Sequence, residues 1–171
     1  MRNLLVISTF LLITFSGNTQ TVHKKDEGKA YPSRSYITID GEKIDSNFLS
    51  NKIVMYNFYF DACDACRLEM KGLNQLYDRY SANNNVVFIA ITPDNEEKAK
   101  LTQERYGLKF KIISLSGKEI ADLKGKTNYP TNIIVDKSGK VAFKESGTVA
   151  PEYWTTKHVM ETFAPIIDNL K

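Results

Sequence analysis

The most informative part of the chain is "NFYFDACDACRLEM", residues 57–70. It joins a nearly continuous apolar run, residues 52–60, to a segment from Asp64 onward in which apolar side chains recur at helical spacing. The run predicts a strand that is covered on both faces, and the spacing predicts a helix directly after it. Cys63 and Cys66, the two cysteines of the chain, lie at this junction, one helical turn apart.

Composition is typical of a single globular domain. The 171 residues are 42% hydrophobic and 25% charged, which is enough apolar material for one packed core. The net charge is +3, and basic residues are mixed with acidic ones in segments such as "DNEEKAK". Because nucleic-acid binding needs a concentrated basic surface, this even distribution argues against a nucleic-acid partner.

The first 20 residues predict export. An arginine precedes an apolar run from Leu4 to Phe15, and the small and polar residues "SGNTQ" follow. This order is typical of a secretory signal peptide, and the run is shorter than the roughly 20 apolar residues that span a bilayer comfortably. No clear cleavage site follows, so an uncleaved membrane anchor is the alternative. Both interpretations predict a periplasmic or other extracytoplasmic protein.

The segment after the signal, residues 21–34, is polar and shows no hydrophobic periodicity. We therefore expect it to be a tether, and we expect one domain to span residues 35–171. That domain opens with alternating apolar and polar residues at 35–43, which predict a short strand and a turn. No internal repeat is present.

Further strands and helices are predicted downstream of the cysteines. A buried strand at 86–91 precedes a helix for which Asp94 and Glu97 are expected to form the capping box. A short strand and a short helix come next, and then two strands join at a tight turn, residues 137–139. The hairpin strands should be antiparallel because they are joined so tightly.

The last helix is predicted over residues 153–171, where Pro165 should kink or split it. The strand–helix–strand order at the start of the domain requires a parallel pair with a right-handed crossover, and the hairpin adds antiparallel strands to the same sheet. The predicted fold class is therefore α/β: a central mixed sheet with helices on both faces and an extra strand segment at the N-terminus.

The position of the two cysteines predicts redox chemistry. Cys63 follows a buried strand and opens a helix, where free amide groups and the helix dipole favour the thiolate, which is the reactive form. Cys66 is close enough to form a disulfide with it. Cys63 can therefore attack the disulfide of a partner, and Cys66 can resolve the mixed disulfide. We expect the sulfur of Cys63 to be presented at the surface.

Three structural interpretations compete with redox use. A purely structural disulfide would close a very short loop and remove only roughly 2 kcal/mol of chain entropy, against about 3 kcal/mol for a 15-residue loop. A zinc site needs four ligands, and the only histidines are His23 and His158, far away in sequence. Two reduced core cysteines are not expected in an exported protein. No dinucleotide-binding glycine motif occurs either, so we expect no bound cofactor and no metal.

These residues resemble the thioredoxin superfamily, and more narrowly the exported TlpA/ResA-like thiol–disulfide oxidoreductases. The resemblance covers about residues 35–171. It rests on the cysteine stretch, on "YPTNIIVDKSGKV" (129–141), on the inserted segment "TPDNEEKAKLTQERYGLKF" (92–110) and on the export signal. It implies a thioredoxin-like fold and an enzyme that reduces disulfides in partner proteins through Cys63 and Cys66.

The resemblance also implies roles for further residues. Tyr129 and Pro130 would be joined by a cis peptide bond facing the cysteines, and the backbone of residue 129 would bind an extended substrate. A trans proline at a strand start is the alternative. Glu69 matches a carboxylate that lies near the thiols and helps to move protons, and a solvated helix glutamate is the alternative. Asn57 stands where many cytosolic thioredoxins place a buried acid, which makes Glu69 the better proton-transfer candidate.

The chain departs from the family pattern next to Cys63. Ala62 replaces the usual tryptophan, so we expect the surface there to be less aromatic and more open. Asp61, Asp64 and Glu69 place three carboxylates near the cysteines, and nearby negative charge disfavours a thiolate. Since strong oxidants of this fold depend on a stabilised reduced form, we expect a reductant.

The resemblance implies partners on the outer side of the membrane. These are exported proteins that bear disulfides, with apocytochrome c before haem attachment as one example, and a membrane thiol that donates electrons. The processes implied are cell redox homeostasis and cytochrome c maturation. An uncleaved N-terminal run would tether the enzyme to the membrane.

Two other functions stay open. A thiol peroxidase on the same fold would have a threonine three residues before its reactive cysteine, where this chain has Phe60. A non-catalytic binding module could use "TVAPEYWTTKH", residues 148–158, as a contact patch. Packing of the C-terminal helix is the simpler explanation for Tyr153 and Trp154 in that segment.

Overall fold

The chain alternates strands and helices throughout. A computed structural model describes residues 20–171, so the predicted signal peptide or anchor lies, apart from Gln20, outside the described residues. None of the helices within 20–171 is long and apolar enough to cross a membrane. In chain order the elements are β1 (Thr21–Val22), β2 (Tyr36–Ile37), β3 (Lys43–Ile44), α1 (Ser46–Leu49), β4 (Ile53–Phe58), α2 (Asp64–Tyr80), β5 (Val86–Thr92), α3 (Glu96–Tyr106), β6 (Lys111–Ser114), α4 (Gly117–Lys124), β7 (Thr131–Val135), β8 (Val141–Ser146) and α5 (Glu152–Leu170).

Six strands form one mixed sheet in the order β1-β8-β7-β4-β5-β6. The strand that leads to the cysteines, β4, lies inside the sheet, parallel to β5 and antiparallel to β7. Strand β6 extends the parallel side, and β8 and β1 extend the antiparallel side. The separate β2–β3 hairpin accounts for the predicted N-terminal strand segment. The predicted mixed α/β sheet is confirmed.

The central strand β4 is buried on both faces, as its apolar run predicts. Ile53 and Met55 face the layer that contains α2 and α5, whereas Val54, Tyr56 and Phe58 face the layer that contains α4 and the β2–β3 hairpin. This alternation follows from the period of two in a strand. Helices therefore cover both faces of the sheet, as predicted.

Helices α2 and α5 pack closely because Gly72 has no side chain. A Cβ atom at this position would lie 3.0 Å from the Cα of Thr156 and 3.1 Å from the Cβ of Val159. Further along the pair, the Tyr80 hydroxyl donates a hydrogen bond to the carbonyl of Ala164 at 2.9 Å. The two helices therefore run side by side, and the start of α5 lies beside the first turns of α2.

The prediction of a free tether at residues 21–34 is wrong. Thr21 lies opposite Ser146 in the antiparallel pairing of β1 with β8, and the ring of Tyr31 packs 4.7 Å from the ring of Tyr56. The pairing uses backbone hydrogen bonds, which any side chain permits, and β1 is too short to show a hydrophobic period. The ordered domain therefore begins before residue 35.

Two helix details also differ from the sequence prediction. Pro165 does not split α5, because the ring lies on the exposed side, where water can bind the Glu161 carbonyl that loses its helical partner. The N-cap of α3 is Asn95, whose side chain accepts a hydrogen bond from the Lys98 amide at 2.9 Å. Asp94, the predicted cap residue, instead binds the loop that joins β4 to α2 and contains Cys63, which we call the cysteine loop.

Candidate active site

The two cysteines form a disulfide at the start of α2. Cys63 is the N-cap residue, and its sulfur accepts a hydrogen bond from the Cys66 amide at 3.1 Å. The Cα atoms are 5.2 Å apart. The predicted arrangement is therefore present: one sulfur lies at the positive end of a helix, and its partner lies one turn behind.

Cys63 is less open than the sequence predicted. Its exposed fraction is 7%, against 2% for Cys66, because both sulfurs complete the core under α2. The neighbours Ala62 and Asp64 are exposed. A partner disulfide that approaches this edge therefore reaches Cys63 before Cys66.

The Tyr129–Pro130 peptide bond is cis, as the resemblance implies. The ring of Tyr129 packs edge to face against Phe60 with the centroids 5.1 Å apart, and the Phe60 carbonyl accepts a hydrogen bond from the Cys63 amide at 3.1 Å. Residue 129 thus lies beside the cysteine loop. Both rings are half-buried, whereas Ala62, which stands in place of the usual tryptophan, is exposed.

The inserted segment fixes the loop before Cys63. The Asp61 amide donates a hydrogen bond to Asp94 at 2.7 Å, and Asp94 also accepts one from the Thr92 hydroxyl at 3.1 Å. From α3, the Thr102 hydroxyl donates a hydrogen bond to Asp61 at 2.9 Å. The loop is therefore held by side chains that are distant in sequence.

Two of the three carboxylates predicted near the cysteines are paired with cations. Asp61 lies 3.5 Å from Arg105 and 3.8 Å from Lys98, and both cations come from α3. Asp64 contacts Arg67 in the first turn of α2. These two carboxylates are therefore compensated by neighbouring positive charges, whereas Glu69 has no cation partner within residues 20–171.

Glu69 is fully buried, so the solvated alternative is wrong. It lies three residues after Cys66, on the same side of α2. Asn132 donates a hydrogen bond to its Oε2 at 2.9 Å, and its Oε1 has no partner among residues 20–171. Burial raises the pKa of Glu69 to about 8, and the negative charge of Glu145 adds to that effect. Near neutral pH the carboxyl is therefore mostly protonated.

A row of polar side chains crosses the sheet beneath Glu69. Asn57, Asn132 and Glu145 lie opposite one another on β4, β7 and β8. Asn57 donates a hydrogen bond to Asn132 at 2.8 Å, and Glu145 accepts one from His158 at 3.0 Å. Sequence reasoning missed Asn132 and Glu145. The sequence signal that could have identified them was a polar residue at a position of each predicted strand where the side chain should face the core.

The described residues contain no cluster of side chains suited to bind a metal ion. Within the part of the chain that the structure describes, no three His, Cys, Asp or Glu side chains converge as ligands. The Cys63–Cys66 disulfide at the start of α2 supports exchange with a second disulfide or dithiol.

Comparisons with known proteins agree with this geometry. The chain matches the AhpC/TSA family over residues 28–144. It is 33% identical over 140 residues to thiol-disulfide oxidoreductase ResA of Bacillus thuringiensis strain Al Hakam, which covers 81% of this chain and 80% of the relative. It is 30% identical over 154 residues to thioredoxin-like protein YneN of Bacillus subtilis strain 168, and this alignment covers 84% of this chain and 90% of the relative.

The fold is shared with solved structures as well. A thiol:disulfide interchange protein of the thioredoxin family from Chlorobium tepidum TLS superposes with a TM-score of 0.65 and 23% identity, over 83% of this chain and 95% of that one. The predicted thioredoxin-like fold is confirmed, and the chain is a protein thiol–disulfide oxidoreductase. It belongs to the AhpC/TSA family, among the thioredoxin-like oxidoreductases related to ResA.

Proposed function

We propose that this enzyme works outside the cytoplasm and reduces disulfides in exported partner proteins. The observation that carries the proposal is the position of Cys63, which caps α2 and is the more exposed cysteine of the pair. In the reduced enzyme the Cys63 thiolate attacks a partner disulfide, forms a mixed disulfide and releases one partner thiol. Cys66 then attacks Cys63, which releases the second partner thiol and leaves the enzyme oxidised.

Glu69 is suited to accept the proton that Cys66 loses in the second step. Cys66 must lose its proton before it attacks, and a group is most effective in proton transfer when its pKa is close to the working pH. The pKa of Glu69 is about 8 because the carboxyl is buried, so both of its forms are populated near neutral pH. Glu69 can therefore accept the proton from Cys66 and return it when the enzyme is reduced again.

The backbone of Tyr129 is suited to hold an extended partner segment. It has no hydrogen-bond partner within residues 20–171, whereas the Pro130 carbonyl already accepts one from the Gly147 amide at 2.9 Å. An added strand binds through backbone groups of this kind. Pro130 has no N–H to offer, so residue 129 is the binding position that we propose.

The charges around Cys63 support a reducing role. Arg67, the cation nearest along α2, contacts Asp64 and donates a hydrogen bond to the Asp61 carbonyl at 3.2 Å. It is therefore already engaged and does little to stabilise a Cys63 thiolate. A strong oxidant of this fold requires such stabilisation of its reduced form.

A redox titration against glutathione tests this direction. We expect a potential closer to roughly −200 to −270 mV than to the −120 mV of a disulfide-introducing enzyme. The fraction of oxidised protein is read by alkylation of free thiols and mass spectrometry. The Cys66→Ala variant, which cannot form the internal disulfide, is the control. A potential of about −120 mV or higher would contradict the proposal.

The N-terminal sequence supports the cellular setting that we propose. The apolar run of residues 4–15 supports export, with either a cleaved signal or a membrane tether. The partners would be exported proteins with disulfides, of which apocytochrome c is one example, and a membrane thiol would supply the electrons. The peroxidase alternative is not favoured, because the apolar Phe60 ring occupies the position where that chemistry uses a threonine.

A further inference from the structure

Two aromatic side chains at the start of α5 are exposed. Tyr153 is 69% exposed and Trp154 is 51% exposed, and their rings contact each other edge to face at 5.3 Å. The ammonium group of Lys157 lies 5.4 Å from the Trp154 ring centre. The interpretation that these aromatic residues only pack the C-terminal helix is therefore wrong. We call them the Tyr153–Trp154 patch.

The patch lies at the end of the sheet where β4 leads to Cys63, which we call the cysteine end. Glu152, which precedes Tyr153, pairs at 3.3 Å with Lys71, which lies two turns into α2. The loop that leads into α5 is bound to the substrate position, because Gly147 donates its amide to the Pro130 carbonyl. The patch and the disulfide therefore belong to the same end of the sheet.

The N-terminal segment that contains β1 also joins the sheet at this end. Thr21 pairs with Ser146, the last residue of β8, and Gln20 donates a hydrogen bond to Glu145 at 2.8 Å. Glu145 accepts a second bond from His158, which is one helical turn after Trp154. The entry point and the Tyr153–Trp154 patch are thus separated by about one turn of α5.

The connection between the apolar run and this entry point is short. Five residue steps separate Phe15 from Gln20, and a fully extended chain spans at most about 3.3–3.6 Å per residue, or roughly 17 Å in total. If the run anchors the protein, as our proposed function allows, the cysteine end must stay close to the bilayer. The patch is then within reach of the lipid headgroups.

We propose that the Tyr153–Trp154 patch rests on the headgroup region of the membrane and turns the cysteine end of the enzyme toward it. Tyrosine and tryptophan prefer this interface because each joins an apolar ring to a polar group. Lys157 can extend its ammonium group toward lipid phosphates. This orientation brings Cys63 to the surface on which a membrane thiol donor would be found.

Fluorescence of Trp154 tests the contact, because it is the single tryptophan of the chain. The full chain is reconstituted into vesicles of equal parts phosphatidylcholine and phosphatidylglycerol, with and without brominated phosphatidylcholine as quencher. We expect the emission to shift to shorter wavelength and to fall roughly twofold with the brominated lipid, as for a residue at the interface.

A matched variant moves the tryptophan to another exposed site. Trp154→Phe combined with Ile37→Trp places it on the β2–β3 hairpin, which covers the face of the sheet opposite to α5, at a position that is 60% exposed. We expect little quenching there. Equal quenching of both proteins would overturn the proposal, because it would show unspecific insertion into lipid.

The remaining outcomes separate this inference from the proposed function. A chain that floats with the vesicles while Trp154 is unquenched would overturn the patch contact and leave the tether intact, with the patch free for a protein partner. A chain that does not float would overturn both the tether and the contact. Insulin reduction by the same sample reports the oxidoreductase activity independently of either result.

Discussion

Replacing Cys63 by serine is expected to lower the rate of insulin disulfide reduction at least about a thousandfold, because a hydroxyl is a far weaker nucleophile than a thiolate at neutral pH. The fold should survive. Cys63 caps α2 through its sulfur, and serine is a favourable N-cap residue that can accept the same amide hydrogen bond. The rate is measured by the turbidity of reduced insulin, with dithiothreitol as the source of electrons.

The neighbouring residue offers a matched control. Ala62→Ser adds a hydroxyl one position earlier, at an exposed site, and it should keep most of the activity. Circular dichroism of all three proteins checks that they are folded. If Cys63→Ser retained more than about a tenth of the wild-type rate, nucleophilic attack by Cys63 would be excluded as the main route.

The buried carboxyl of Glu69 is expected to make the stability of the oxidised protein depend on pH. Its pKa is about 8 in the folded chain because of burial, against an ordinary value of 4.5. Between these values the folded state binds more protons than the unfolded state. The free energy of unfolding therefore falls as the pH rises, by up to about 1.4 kcal/mol per pH unit.

Substituting Glu69→Gln should remove this dependence. Urea unfolding at about pH 5.5 and about pH 8 is expected to show that the wild type loses about 3 kcal/mol more than the variant over that interval. Glu161→Gln, on the exposed side of α5, is the control and should behave like the wild type. Equal losses in the wild type and in Glu69→Gln would mean that Glu69 is ionised in the folded protein across this range.

The features that could be predicted from sequence depend on neighbours along the chain. The apolar run of β4 and the helical spacing after Asp64 lie next to each other, so they define the strand, the helix and the place of Cys63 between them. Helical spacing also puts Glu69 on the side of Cys66. The cis bond before Pro130, by contrast, came from the family resemblance and not from the residues themselves.

The features that were missed depend on contacts between distant segments. The burial of Glu69 requires β7, which brings Asn132 against it. The charge of Asp61 is compensated by Lys98 and Arg105 only because α3 packs beside the cysteine loop. Strand β1 forms through backbone pairing and leaves little trace in side-chain pattern. Each of these requires the tertiary structure, which a local pattern does not contain.

Mass spectrometry of a Cys66→Ser variant tests which cysteine attacks the partner first. In the proposed reaction Cys63 makes the first bond with a partner disulfide, and Cys66 breaks it. Incubated with a disulfide-bonded peptide, the variant should accumulate a mixed disulfide on the tryptic peptide that contains Cys63, while the reduced wild type should show almost none. A variant that forms no adduct, or a Cys63→Ser protein that traps the peptide through Cys66 equally well, would contradict the account.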